Sequence, residues 1–104
     1  MKEWTPKELE QALWRREDAI VFFYTPLCGT CKLAERMLGI VEVMLDRLPL
    51  SKANVNFLPE RAAQWEITSI PCLVVLKEGK PVHKLYAMHS VDDLYRFLKP
   101  YQRE

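Results

Sequence analysis

A three-layer α/β/α domain around a central mixed sheet of about four to five strands is the fold class this sequence predicts, and three observations predict it. A short apolar run at 20–24 is followed by a long stretch of helical spacing. A second strand-like segment and a short helix come next, so helix, strand, helix, strand and helix alternate. Two strand-like runs then flank Lys77-Glu78-Gly79-Lys80-Pro81, a connection suited to a hairpin, before a last capped helix. With 104 residues the chain is expected to be a single domain over 1–104. Such a domain buries roughly two-thirds of the surface its unfolded form exposes.

The elements follow in order. Thr5-Pro6-Lys7-Glu8 starts a helix, with Thr5 as N-cap, Pro6 at the first helical position and Glu8 closing a capping box, while Trp4 and Leu9 are placed to form a hydrophobic staple. Leu9, Ala12 and Leu13 share its inner side, and the helix is expected to reach Arg16 or Glu17. Ile20-Val21-Phe22-Phe23-Tyr24 has the continuous apolar character of a central strand covered on both faces. From Gly29 a long helix runs to just before Pro49, its inner stripe expected at Leu33, Met37, Val41, Met44 and Leu48, widened by Leu38 and Leu45. A second strand is expected at 53–57 and a short helix at 59–65, opened by Pro59. The hairpin strands are expected at 72–76 and 82–86, antiparallel to each other. Ser90 and Asp93 form the capping pattern of the last helix, with Val91, Leu94, Tyr95 and Leu98 facing inward.

Composition excludes several classes. With 49% hydrophobic and 28% charged residues the chain is globular, and a formal charge of +1 creates no field for nucleic acid or an anionic membrane. The apolar runs are too short to span a bilayer. Met1-Lys2-Glu3-Trp4 leads into a charged helical pattern and lacks the apolar stretch of a secretory signal, so a cytoplasmic location is expected. Three cysteines in such a chain argue against a disulfide framework.

Chemistry is concentrated in Tyr24-Thr25-Pro26-Leu27-Cys28-Gly29-Thr30-Cys31-Lys32, where two cysteines stand three apart between the apolar strand and the long helix. Such a pair can be a redox couple, half of a zinc site or two small buried side chains. A zinc site needs two further ligands; Cys72 and His89 could supply them, but there is no second C-x-x-C. Cys28 falls at the helix start, where unpaired N–H groups and the helix dipole favour a thiolate. Cys31 lies one turn on, within disulfide reach. As a redox couple, Cys28 is the exposed attacking thiol and Cys31 resolves the mixed disulfide.

The sequence resembles thioredoxin from Trp4 to Leu98. The resemblance is carried by Cys28-Gly29-Thr30-Cys31-Lys32 after a strand, Ile70-Pro71 before a strand and Lys77-Glu78-Gly79 at the hairpin. It implies the thioredoxin fold and a protein-disulfide oxidoreductase without cofactor or bound metal, acting as a monomer on protein disulfides and recharged by a thiol or reductase electron donor. It also implies a cis proline at Pro71 in a loop beside the cysteines, and a lysine, Lys52, near the buried one. Tyr24, Leu27, Gly29, Thr30, Ile70 and Pro71 would line the substrate groove.

Departures from the family pattern add expectations. Phe22 stands where the family has a buried Asp, Leu27 replaces Trp, Thr30 replaces Pro, Ala87 replaces Gly and Cys72 replaces Thr. Lys52 and Glu35 are candidate proton-relay groups. Cys72, directly after Pro71, is either a packed small residue or a third thiol that joins Cys28 and Cys31 in exchange or in holding a soft metal with a second chain. A redox-sensing or binding module with little turnover is the other functional reading. Trp14, Trp65 and Tyr24 are expected to be core or groove aromatics.

Overall fold

The computed structural model describes residues 1–103. Five strands form one sheet: β1 (Lys2–Glu3), β2 (Ala19–Tyr24), β3 (Leu50–Asn54), β4 (Cys72–Lys77) and β5 (Lys80–Leu85), in the order β1-β3-β2-β4-β5. β1, β3 and β2 run parallel, β4 is antiparallel to β2, and β5 is antiparallel to β4. The helices are α1 (Pro6–Trp14), α2 (Gly29–Met44), α3 (Pro59–Gln64) and α4 (Val91–Leu98). This is the expected mixed sheet with helices on both faces.

Side-chain alternation along β2 splits the core into two layers. Ile20 and Phe22 pack with Leu38 and Val41 of α2 and Leu94 and Leu98 of α4. Val21 and Phe23 face the other way, onto Leu9 of α1 and onto Leu58 and Trp65 at the two ends of α3. The capping box at Thr5 and Glu8 is present, and the Ser90 hydroxyl accepts the Asp93 N–H. Trp4 packs against the layer that holds Leu9.

Four expectations are corrected. The α2 stripe is rotated: Cys31, Ala34, Leu38, Val41 and Leu45 are buried, whereas Leu33 and Met44 are exposed. Apolar residues surround this helix, so periodicity alone does not choose the face; the small Cys31 and Ala34 let it close onto the sheet. β3 covers residues 50–54 instead of 53–57, because the Asn54 side chain accepts the Asn56 N–H and turns the chain into a 3-10 segment at Val55–Phe57. α1 stops at Trp14, and Trp14 is 88% exposed instead of packed, lying well off the face that Leu9 and Ala12 bury. The edge strand β1 has too few residues to carry a periodic signal.

The β4–β5 turn is two residues long, with positive φ at both Glu78 (52°) and Gly79 (74°), as a primed hairpin turn requires. The Asp18 carboxylate accepts the Glu78 N–H, and the Glu17 carbonyl accepts the Gly79 N–H. A Cβ at Gly79 would stand 2.7 Å from the Leu13 carbonyl oxygen, so only glycine lets the turn lie this close to the end of α1.

Candidate active site

β2 delivers the chain to the site. After Tyr24 a short loop brings Cys28 to the N-cap of α2, with the Cys28 N–H bonded to the Thr25 carbonyl and the Cys28 carbonyl accepting the Lys32 N–H. The Cys28 sulfur accepts the Cys31 N–H at 3.1 Å and lies 3.3 Å from the Thr30 hydroxyl. One free donor of the helix start is thereby aimed at the sulfur, where it stabilises negative charge. Cys28 and Cys31 are joined as a disulfide, with Cα atoms 5.2 Å apart.

The two sulfurs are not equivalent. Cys28 is partly exposed, while Cys31 is 2% exposed and belongs to the α2-side core. Around them Gly29 and Thr30 are exposed, and a Cβ on Gly29 would meet nothing within 4 Å, so the surface here stays open to an approaching partner. Leu27 is 96% exposed, an apolar side chain held in water directly before Cys28 in the chain. Ile70 packs against the same core as Cys28 and Cys31, and a cis peptide links it to Pro71 at the entrance of β4. Tyr24 stacks on Phe22 with ring centroids 6.0 Å apart. Phe22 itself is fully buried, so this part of the layer is apolar.

Beside the apolar layer lies a polar strip. Lys52 of β3 reaches both carboxylate oxygens of Glu35 at 3.3 Å, and its ammonium also lies 5.7 Å from the centre of the Tyr24 ring. The Tyr24 hydroxyl donates to Glu3 of β1 at 2.5 Å. Burial first, and then the Glu3 carboxylate, push the Tyr24 phenol up to about 12, so it stays protonated. The structure thus brings the two relay candidates together with Tyr24. Glu3 was invisible in the sequence, because its contact spans 21 positions from a two-residue strand.

Cys72 stands apart. It pairs with Phe23 across the β2–β4 ladder and is fully buried in the layer of Leu9, Phe23 and Trp65, on the opposite face of the sheet from Cys31. The expected third thiol is corrected to a packed residue, since strand alternation sends Leu73, not Cys72, toward α2. Burial raises its thiol to about 11, against which Tyr86 and Lys84 act weakly in the other direction. The metal reading based on Cys28, Cys31 and Cys72 loses its third ligand with this placement. Among the described residues no three or more His, Cys, Asp and Glu side chains gather as a metal set. His83 and His89 are both exposed.

The thioredoxin family model matches residues 1–100. The thioredoxin-like protein YusE of Bacillus subtilis (strain 168) is 42% identical over 101 residues, covering 95% of this chain and 92% of that protein. Thioredoxin of Alicyclobacillus acidocaldarius subsp. acidocaldarius is 31% identical over 91 residues, covering 86% of this chain and 87% of its own. In three dimensions the oxidised thioredoxin of Plasmodium falciparum superposes with a TM-score of 0.81 at 23% identity, over 99% of each chain.

Proposed function

The chain belongs to the thioredoxin family and is a thiol–disulfide oxidoreductase, and on that premise we propose that it reduces protein disulfides in two steps with divided roles for its cysteines. The observation that supports the division is the contrast in burial across one helical turn: a partly exposed sulfur at the start of α2 and a buried one three residues on. In the first step the Cys28 thiolate attacks one sulfur of a substrate disulfide, forming a mixed disulfide and releasing the other sulfur as thiolate. In the second the Cys31 thiolate attacks the Cys28 sulfur, forming the Cys28–Cys31 disulfide and releasing the substrate's remaining thiolate. Two electrons pass to the substrate, and a thiol or reductase donor returns them.

Leu27, Gly29, Thr30 and Pro71, with Ile70 and Tyr24 behind them, are assigned to the substrate groove. Leu27 is the apolar anchor, because a large side chain so fully exposed directly before Cys28 gains most from a partner that covers it. The enzyme is assigned to the cytoplasm, as a single-domain monomer in cell redox homeostasis, where reduced thiol pools keep the couple charged. No helix among the described residues is long and apolar enough to cross a membrane.

Reduction of insulin disulfides by dithiothreitol tests the reading. The parent is expected to turn over, Cys28→Ser to lose all acceleration, and Cys31→Ser to accumulate substrate adducts at Cys28 that mass spectrometry detects. Turnover by Cys28→Ser, or adducts at Cys31 in its place, would reverse the roles. Catalysis absent from the folded parent would instead favour the sensing module.

A further inference from the structure

The second step poses a proton problem. A thiol is nucleophilic only as thiolate, and Cys31 is buried among Ile20, Phe22, Ala34, Leu38 and Leu73, with no buried acid or base in that layer among the described residues. The nearest turn of its own helix carries Glu35, four residues on and therefore on the same side, with Cβ atoms about 5–6 Å apart. Glu35 is half-exposed, and its two oxygens are held at 3.3 Å by Lys52, which reaches in from β3. Resting on the two-step reading above, we propose that Glu35 is the proton acceptor of the resolving step and that Lys52 is its positioning residue.

The surrounding groups favour this choice. From β2, Tyr24 stays protonated and donates a hydrogen bond to Glu3 of β1, so the phenol is no acceptor for the Cys31 proton. Further along α2, Glu42 stands about three turns beyond Cys31, roughly 16 Å along the helix axis, out of reach of its sulfur. The groups from α4 and its following turn that reach this layer are Tyr95 and Tyr101, which are phenols, and Lys32 beside Cys31 is an exposed cation. Arg36 and His89 are exposed. Lys52 meets both Glu35 oxygens from one side, which leaves the carboxylate's other lone pairs free to receive a proton through one bridging water. In balanced form, the Cys31 thiol gives its proton to the Glu35 carboxylate as its sulfur bonds to Cys28. The Cys28–substrate bond breaks, the substrate leaves as thiolate, and Glu35 returns the proton to solvent.

Dithiobis(nitrobenzoate) separates the two steps in a stopped-flow trace, because attack by Cys28 releases one coloured thiolate and resolution by Cys31 releases the second. For Glu35→Gln the second phase is expected to slow about a hundredfold at neutral pH while the first phase is unchanged. As pH rises, hydroxide takes over the deprotonation and the two proteins converge; Glu35→Asp recovers part of the rate. A purely structural role for Glu35 would slow both phases, or give a deficit that pH does not repair, and either result overturns the proposal. So does an unchanged second phase. Should Glu35→Gln not fold, Lys52→Gln is read in the same assay and is expected to slow the second phase alone. A parent that lacks the second phase altogether would refute the two-cysteine mechanism instead.

Discussion

At Cys28 a helix start, a backbone donor and a hydroxyl converge on one sulfur. When the disulfide opens, the Thr30 hydroxyl becomes a donor to the thiolate, a charge-assisted contact worth about 1.5–3 kcal/mol. Its effect on attack is limited. A contact that raises the thiolate fraction about tenfold also lowers the sulfur's nucleophilicity, and a Brønsted slope near 0.45 returns about threefold of the gain. Iodoacetamide should therefore label Cys28 before Cys31 in the reduced protein, and Thr30→Val should slow that labelling only about threefold at neutral pH. Rates for Thr30→Val equal to the parent's would show that the N–H groups alone stabilise the thiolate. The C-x-x-C and its polarity were legible in the sequence because both follow from helix position. The hydroxyl contact was not, since a threonine between two cysteines does not reveal its rotamer.

Helix α2 connects this chemistry to the core, and its rotation decides which side chains surround Cys31. Capping residues, prolines and the hairpin glycine were readable because their effects are local: Thr5, Ser90, Pro59 and Gly79 act within a turn of where they stand. The α2 face was not, because Leu33, Ile40, Val43 and Met44 form an apolar side that remains exposed. Helical spacing gives a period but leaves the phase open when apolar residues lie on two sides. Truncating one residue from each side tests the phase. Leu38→Ala should cost about 2–5 kcal/mol, as expected for a fully buried leucine, whereas Leu33→Ala should stay within about 0.5 kcal/mol. Urea denaturation measures both, and equal losses would put both faces of the helix against protein.

Over the whole molecule the sheet separates a reactive layer from an inert one. Cys31 lies in the layer between the sheet, α2 and α4, while Cys72 is buried in the layer covered by α1 and α3. Element order and the hairpin announced the fold, but which layer Cys72 enters depends on the β2–β4 register, a long-range property that no local pattern contains. Alkaline stability makes the separation measurable. Folded, the Cys72 thiol keeps its proton up to about 11, whereas an unfolded chain releases it from its ordinary value of 9.0. Between those values the unfolded state binds fewer protons than the native state, so this thiol's contribution to stability is complete below the window and is lost as pH rises through it. Other alkaline titrations are common to the parent and Cys72→Ala, and the difference between the two isolates the thiol. Cys72→Ala should leave insulin turnover and the Cys28–Cys31 couple unchanged. It should be somewhat less stable than the parent at neutral pH, because a small gap opens in the buried layer that holds Phe23 and Trp65, with that deficit shrinking from about pH 9 to about pH 11. Parallel stability curves across the window would mean that Cys72 titrates as an accessible thiol. A change in turnover would return it to the reactive layer.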